Sequence, residues 1–513
     1  MRIDNMIRSR RPTLVLFILF FIVIQPACGD YLTFHADVQR TGNVSGPGPD
    51  APNILWKTKI TNHAIYGGAA VVGDRVYVCD CRDMSFSGEQ VLACLDAADG
   101  SILWQNPIGG KGSFSTPAVR DDRILVGSFT GDLYCVNATT GDTIWNRTLV
   151  TGASWYGLAS SPLLLDDGIF ATSFTHGMLY VLDFDGDEIW NITTTGKTNE
   201  LSSPAAWDGK VYFTGGDPAL YCVDIPSHSV LWTFPTDSLI LTTPSISDGR
   251  VFFATGSALF AVDANTGEEL WKIDLKVKLS SPAVSSGRVY IGTDEKTFDC
   301  YDALDGSLLW ITELNGPVKS SPVVAGDLVY FGTNVGEGKI YALDVVDGSV
   351  VWTHPVDEFI MSSPTVSDGV LFFGTEDNYL YAFGPEPSRV IWEGEVLLPE
   401  GNFDLTAESG QVYAVDWRSA LGALYRAADA SGFEVKTSDA LWDFYGLIVT
   451  SIDGLGTGED ESWCYLVNYP DELQPIISPD LFELEDGDVV TFYQKDGGLG
   501  PEESLRVEMT VKI

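Results

Sequence analysis

The residues best able to do chemistry in this chain are few and scattered. Five histidines, His35, His63, His176, His228 and His354, stand far apart and lack the spacing that gathers a metal ion. The closest cysteines are Cys79 and Cys81, and a lone Cys-x-Cys specifies neither a metal centre nor a redox motif. The sequence has no Gly-x-Ser-x-Gly elbow, phosphate-binding loop or Cys-x-x-Cys. No residue is therefore assigned to catalysis or to a metal. What remains is recognition. Several connecting segments carry large groups: Tyr66, Phe114, Trp155, Tyr156, Phe359 and Met361, with Lys111, Lys278 and Lys319 among them. A long segment with Asp80, Asp83, Met84 and Phe86 belongs to the same set. Aromatic side chains beside a few cations suit non-covalent capture of a partner or ligand. Plugging of a channel mouth is the plainer role for the same side chains.

These segments are positioned by a repeat. Eight copies begin at Ala69, Pro117, Pro162, Pro204, Pro244, Pro282, Pro322 and Pro364, roughly 40 residues apart. One copy runs from Ser281-Pro282 through Val289-Tyr290-Ile291-Gly292 and Asp302-Ala303-Leu304-Asp305-Gly306 to Trp310. Alternating apolar runs separated by turn residues are the hairpin signature. Asp248-Gly249 and Asp368-Gly369 mark tight turns, in which glycine accepts a positive φ. The Asp-x-x-(Thr/Asp)-Gly segments at 263–267, 302–306 and 344–348 mark the next turn. Each unit closes on a tryptophan: Trp104, Trp145, Trp190, Trp232, Trp271, Trp310 and Trp352, with Trp56 ahead of the first copy. These indoles are expected to fill the wedges between adjacent units. A period of this size built from short strands predicts a β-propeller with one four-stranded blade per repeat.

Eight strand triplets face seven internal outer strands. Residues 53–60, with Trp56, are expected to supply the eighth and close the ring, which removes the free sheet edge. Trp392 competes for the same place, but its turn has Gly384 for the usual Asp and Ser388 for the usual Gly. Eight blades are expected, with seven as the alternative.

Length suggests two or three domains, and a hydrophobic fraction of 45% supports large cores. The formal charge is −41, from 71 acidic and 30 basic residues. Phosphate binding rests on basic patches, so this balance argues against nucleic acid and against anionic membranes. It suits solubility at high salt. At the N-terminus Arg8, Arg10 and Arg11 precede an apolar run at 14–24, which reads as a signal peptide over 1–28 and is too short for a comfortable membrane span. A lipid on Cys28 is the one membrane attachment considered, although Gln25-Pro26-Ala27 is a poor lipidation motif. The expected location is extracellular or at the cell surface. The triplets Asn43-Val44-Ser45, Asn137-Ala138-Thr139, Asn146-Arg147-Thr148 and Asn191-Ile192-Thr193 fit a surface protein.

Cys94, Cys135, Cys222 and Cys300 share one repeat position, two before the turn Asp or Asn, where Ala261, Ala342 and Ala382 stand in other copies. They read as small core residues, too far apart to form disulfides. The repeat stops at Phe383. Residues 384–391 read as a linker, and 392–513 as a small α+β domain. Its one helix is expected over 418–430, where Leu421, Leu424, Tyr425 and Ala428 form an apolar stripe and Gly432 is placed to end it.

Residues 31–383 resemble the PQQ-like β-propeller repeat proteins, the superfamily of quinoprotein dehydrogenases and of the Bam-complex lipoprotein. Residues 261–271 carry the Ala-x-Asp-x-x-Thr-Gly-x-x-x-Trp signature best, and Phe34-His35-Ala36-Asp37 with Arg40-Thr41-Gly42 is similar to the start of such proteins. Residues 392–513 resemble the transcobalamin C-terminal domain family, through 420–424, 463–469 and 482–493. The pairing resembles surface proteins of archaea. The resemblance implies either a non-catalytic binding scaffold or an oxidoreductase using PQQ with calcium. The enzymes it brings in carry a disulfide between neighbouring cysteines and long pocket-building loops, and this chain has neither an adjacent Cys pair nor long connections. A third implied role is capture of a corrinoid or other small ligand by the C-terminal domain. A protein or small-molecule partner on the propeller top face, with no resident cofactor, is the leading expectation.

Overall fold

The computed structural model describes residues 31–81, 90–109, 112–152, 157–174, 176–195, 201–356, 358–384, 390–431, 433–439, 448–452, 455–456, 462–467, 479, 484–486, 488–495 and 506–512. The proposed signal peptide and Cys28 lie outside them, as do Asp83, Met84, Phe86, Lys111, Trp155, Tyr156, residues 385–389 and Gly432. No helix of the described residues is long and apolar enough to cross a membrane. The chain divides into two compact units, Met1–Gly384 and Pro385–Ile513.

The first unit is built from propeller-like sheets of four antiparallel strands, eight of them among the described residues. The fifth sheet is typical. Ser245–Ser247, Arg250–Ala254, Ala258–Asp263 and Glu269–Asp274 pair in chain order. Asp248 and Gly249 turn between the first two strands with φ of 49° and 72°, the doubly left-handed turn whose twist suits a hairpin. The middle strands are almost wholly buried because both faces pack against neighbouring sheets. In the eighth sheet the outer strand is Ile54–Lys59, paired antiparallel with Tyr379–Phe383. Strand Val390–Leu397, which holds Trp392, pairs instead with Arg506–Lys512 in the second unit. Val390 and Ile391, read as linker, thus already belong to a strand.

The tryptophans join each sheet to the next. Trp232 donates from Nε1 to the Ala264 carbonyl of the following sheet at 3.1 Å, and Tyr212 donates to the same oxygen at 3.0 Å. Trp56, Trp104, Trp145, Trp271 and Trp310 donate to Ala97, Ala138, Phe184, Ala303 and Val345 in the same way. The turn glycine lies on the indole face. Gly267 has φ +72°, and a Cβ there would stand 2.7 Å from Trp232. Glycine is thus required twice, by conformation and by the ring beneath it. Beneath Trp190 the left-handed position is taken by His228, φ 55°, whose ring stacks on the indole at 4.6 Å. Trp352 has no such turn to meet, since the pattern fails after Phe383. It donates to the Pro49 carbonyl at 2.9 Å, so the N-terminal segment fills the gap.

That segment also ties the inner strands of the sheets together. Tyr31 bridges to Val71; then Leu32, Val38, Gln39, Thr41 and Gly42 accept from Val119, Ala206, Ile246, Val284 and Val324, each in a different inner strand. Strand Asn43–Val44 then pairs parallel with Val323–Ala325. The winding needs left-handed backbone at His35, Ala36 and Arg40, which only dense packing sustains.

In the second unit a sheet of order Val390–Leu397, Arg506–Lys512, Val489–Lys495, Ser462–Val467 packs on one helix, Ala420–Ser431. Leu421, Leu424 and Ala427 meet Val490, Phe492, Val507 and Met509 in its core. Ser419 caps the helix by accepting the Gly422 N–H at 3.0 Å, so the first helical residue is Ala420, not Arg418.

Candidate binding site at the channel mouth

Every repeat but the first, which has Gly67-Gly68-Ala69, enters its inner strand through a hydroxyl pair before proline. The first hydroxyl serves its own sheet: Thr242 donates to the Ala254 carbonyl and accepts from its N–H, at 3.0 and 2.8 Å. The second serves the neighbouring sheet. Gly68 donates its N–H to Thr116 Oγ1, and Thr116, Ser161, Ser203, Thr243, Ser281 and Ser321 each donate to the hydroxyl of the next sheet, at 2.9–3.0 Å. Seven bonds thus link the eight sheets in succession. Gly68 has no hydroxyl, and there Thr365 instead donates to the Ala69 carbonyl at 2.8 Å.

Immediately before each pair stands a residue facing the channel. In order they are Tyr66, Phe114, Ala159, Leu201, Leu241, Leu279, Lys319 and Met361. Together they form a collar of seven apolar side chains and one lysine above the hydroxyl ring. Phe34, from the N-terminal segment, lines the same cavity. The cavity so enclosed has a volume of about 70 Å³. It opens past half-buried Tyr66 and Phe114, which meet edge to face at 5.3 Å, while Phe114 meets Phe129 at 5.1 Å. Lys319 makes no ion pair with any described residue. Glu376 is half-buried nearby. Its carboxyl is pushed up by burial, while a Tyr66 hydrogen bond and the Lys319 charge pull it back.

Of the residues expected on this face, the structure brings Tyr66, Phe114, Lys319 and Met361 together. Phe359 is 40% exposed but stands outside the collar. Lys278 is paired with Asp294 at 2.9 Å, so it is not a free cation. Asp80 is a correction. It is fully buried, accepting the Thr61 hydroxyl at 2.8 Å and the Val91 N–H at 2.7 Å, and it braces its sheet where a surface ligand residue was expected. Trp155 and Tyr156 lie outside the described residues. Sequence reading missed Leu201, Leu241, Leu279 and the hydroxyl ring. Their signal was present, because each stands at a constant offset from the repeated proline.

Cys79 and Cys81 are buried in different apolar clusters, one with Leu92 and Ile124, the other with Phe129 and Ala159. Among the described residues no three His, Cys, Asp or Glu side chains are grouped to hold a metal ion. The polyanionic quinone PQQ with calcium calls for several cationic and carboxylate groups. The collar's described residues offer one lysine, one tyrosine hydroxyl and otherwise aliphatic and aromatic carbon, with no carboxylate, so they do not fit that pair.

Repeated four-stranded sheets joined by tryptophan and hydroxyl bonds define a propeller-type repeat protein. The chain belongs to the family described as outer membrane protein assembly factor BamB, which matches residues 40–258 and 255–442. The BamB of Yersinia pestis is 24% identical over 346 residues, 63% of this chain and 84% of that protein. The tetrathionate hydrolase of Acidithiobacillus ferrooxidans is 21% identical over 331 residues, 55% of this chain and 57% of that protein. Among solved structures, BamB from Moraxella catarrhalis aligns with 65% of this chain and 99% of its own, at 18% identity and a TM-score of 0.52. A europium-containing methanol dehydrogenase aligns with 69% and 98%, at 12% identity and a TM-score of 0.56. At such identities these structures share the fold alone.

Proposed function

We propose that this chain is an exported, non-catalytic binding or scaffold protein, and that its sheets close as an eight-bladed ring whose channel mouth receives a partner or ligand. The observation that carries the reading is the collar. Seven apolar side chains and one lysine converge on an otherwise strongly acidic protein, in a cavity that Phe34 also lines. Such a site suits an apolar side chain or chain end accompanied by an anionic group. The BamB relatives bear the name of assembly factors, which supports a partner-binding role. The second unit is proposed as a separate module of the transcobalamin C-terminal kind.

Capture of partners from the native cell surface tests the reading. The double variant Phe114→Ala, Lys319→Ala is expected to lose most of the captured material while keeping the circular dichroism of the parent. Undiminished capture overturns the site. Reconstitution with PQQ and calcium, followed by dye reduction over alcohols and sugars, tests the enzyme alternative. Turnover in that assay overturns the non-catalytic reading.

A further inference from the structure

The four Asn-x-Ser/Thr triplets are not equivalent in the fold. Asn146 and Asn191 each follow the structural tryptophan of an outer strand, in Thr143–Thr148 and Glu188–Thr193. Both asparagines are exposed, and so are Thr148 and Thr193 two residues later. Side chains two apart on a strand leave the same face, so amide and hydroxyl stand together on the rim. Each strand is the last of its sheet among the described residues, and no further strand covers it. The contacts these groups make are exposed: Asn191 donates to Glu188 at 2.6 Å, and Thr148 donates to Asp132 at 2.5 Å. Water can replace both. Asn137 differs. It is half-buried, and its Oδ1 accepts the N–H groups of Thr139 and Thr140 at 2.9 and 2.8 Å, holding the turn between the last two strands of its sheet. Asn43 is held in the short strand against the seventh sheet.

We infer that Asn146 and Asn191 are N-glycosylation sites, which accept an oligosaccharide from a lipid-phosphate-linked donor outside the cytoplasm. In the transfer, Nδ2 bonds to the anomeric carbon and loses one proton. The bond from that carbon to the donor's phosphate oxygen breaks, and the lipid phosphate leaves with the electron pair. The two strands belong to neighbouring sheets whose inner strands touch, so the glycans would stand side by side on the outer rim, away from the collar. The inference rests on the export part of the proposed function.

The test is peptide mass analysis of the full chain purified from the surface fraction of the cells that make it. Glycan mass is expected on the peptides holding Asn146 and Asn191, with the Asn137 peptide unmodified. Asn146→Gln and Asn191→Gln should each remove one glycan. Thr148→Ser should retain the Asn146 glycan and Thr148→Val should lose it, with unchanged circular dichroism. An exported chain bare at both sites, or modified at Asn137 alone, overturns the inference while export stands. A chain retained in the cell with its first 28 residues intact overturns both.

Discussion

Cys94, Cys135, Cys222 and Cys300 show how one residue position is decided by its neighbours. All four are fully buried and free, each on a third strand between sheets. Burial pushes the thiols up, Cys94 and Cys135 to about 11 and Cys222 and Cys300 to about 12, so almost no thiolate exists at neutral pH. Thiol reagents should therefore leave all four unlabelled in the native protein and label them after unfolding. Rapid native labelling of any one, or a mapped disulfide between two, contradicts the register. His35 makes a second prediction. Its Nδ1 bonds the Arg40 carbonyl at 3.0 Å, its Nε2 has no partner among the described residues, and burial pushes its pKa down from 6.5 to about 4. The folded chain thus refuses a proton that the unfolded chain takes up near pH 6.5. The stability from this site is complete above pH 6.5 and is lost as pH falls toward 4, by roughly 3 kcal/mol at most. Urea unfolding of the parent and of His35→Gln should show the parent losing ground between pH 7 and 4.5. A difference independent of pH refutes this.

At the scale of elements, the N-terminal segment behaves as a strap that the repeats alone do not encode. It donates or accepts along successive inner strands and ends by receiving Trp352 on Pro49. Arg40 anchors it. The guanidinium is fully buried and donates to the carbonyls of Pro204 at 3.0 Å, Pro162 at 3.1 Å and Phe34 at 2.6 Å, and to the Thr33 hydroxyl at 2.5 Å. Burial pulls its pKa down to about 10, with Asp37 and Tyr31 opposing, and it stays charged at neutral pH. Arg40→Met keeps the volume but strands several buried oxygens. It should lower the unfolding free energy by about 3 kcal/mol or more, read from urea denaturation. A loss below about 1 kcal/mol would mean that water or a shifted strap replaces the guanidinium.

At the scale of the whole molecule, the charge of −41 sets the solvent preference. Exposed carboxylates such as Asp166 and Asp187 have single arginines for partners, and most of the acidic surface has none to spare, since 30 basic residues face 71 acidic ones. Repulsion of this kind is screened as the Debye length falls from about 10 Å at 0.1 M salt to about 3 Å at 1 M. The melting temperature should rise by several degrees between 0.1 and 2 M NaCl. A flat or falling curve would show that local ion pairs, which salt weakens, outweigh the net repulsion.

The repeat arithmetic alone determined much of this. The tryptophans, the turn glycines, the core cysteines and the pairing of Ile54–Lys59 with Tyr379–Phe383 all follow from local periodicity, because each repeat must bury the same faces against the next. The site did not follow so directly. Tyr66, Phe114 and Lys319 were legible as large groups in connecting segments, but Asp80 and Lys278 looked the same in the sequence, and one is buried while the other is paired. Which side chains reach the collar depends on how every sheet is set against the next, and that sums small rotations from all of them. The path of the N-terminal strap was equally hidden. It has no periodicity of its own, and its backbone partners lie from 40 to nearly 300 residues away, so only the assembled tertiary structure brings them within hydrogen-bond reach.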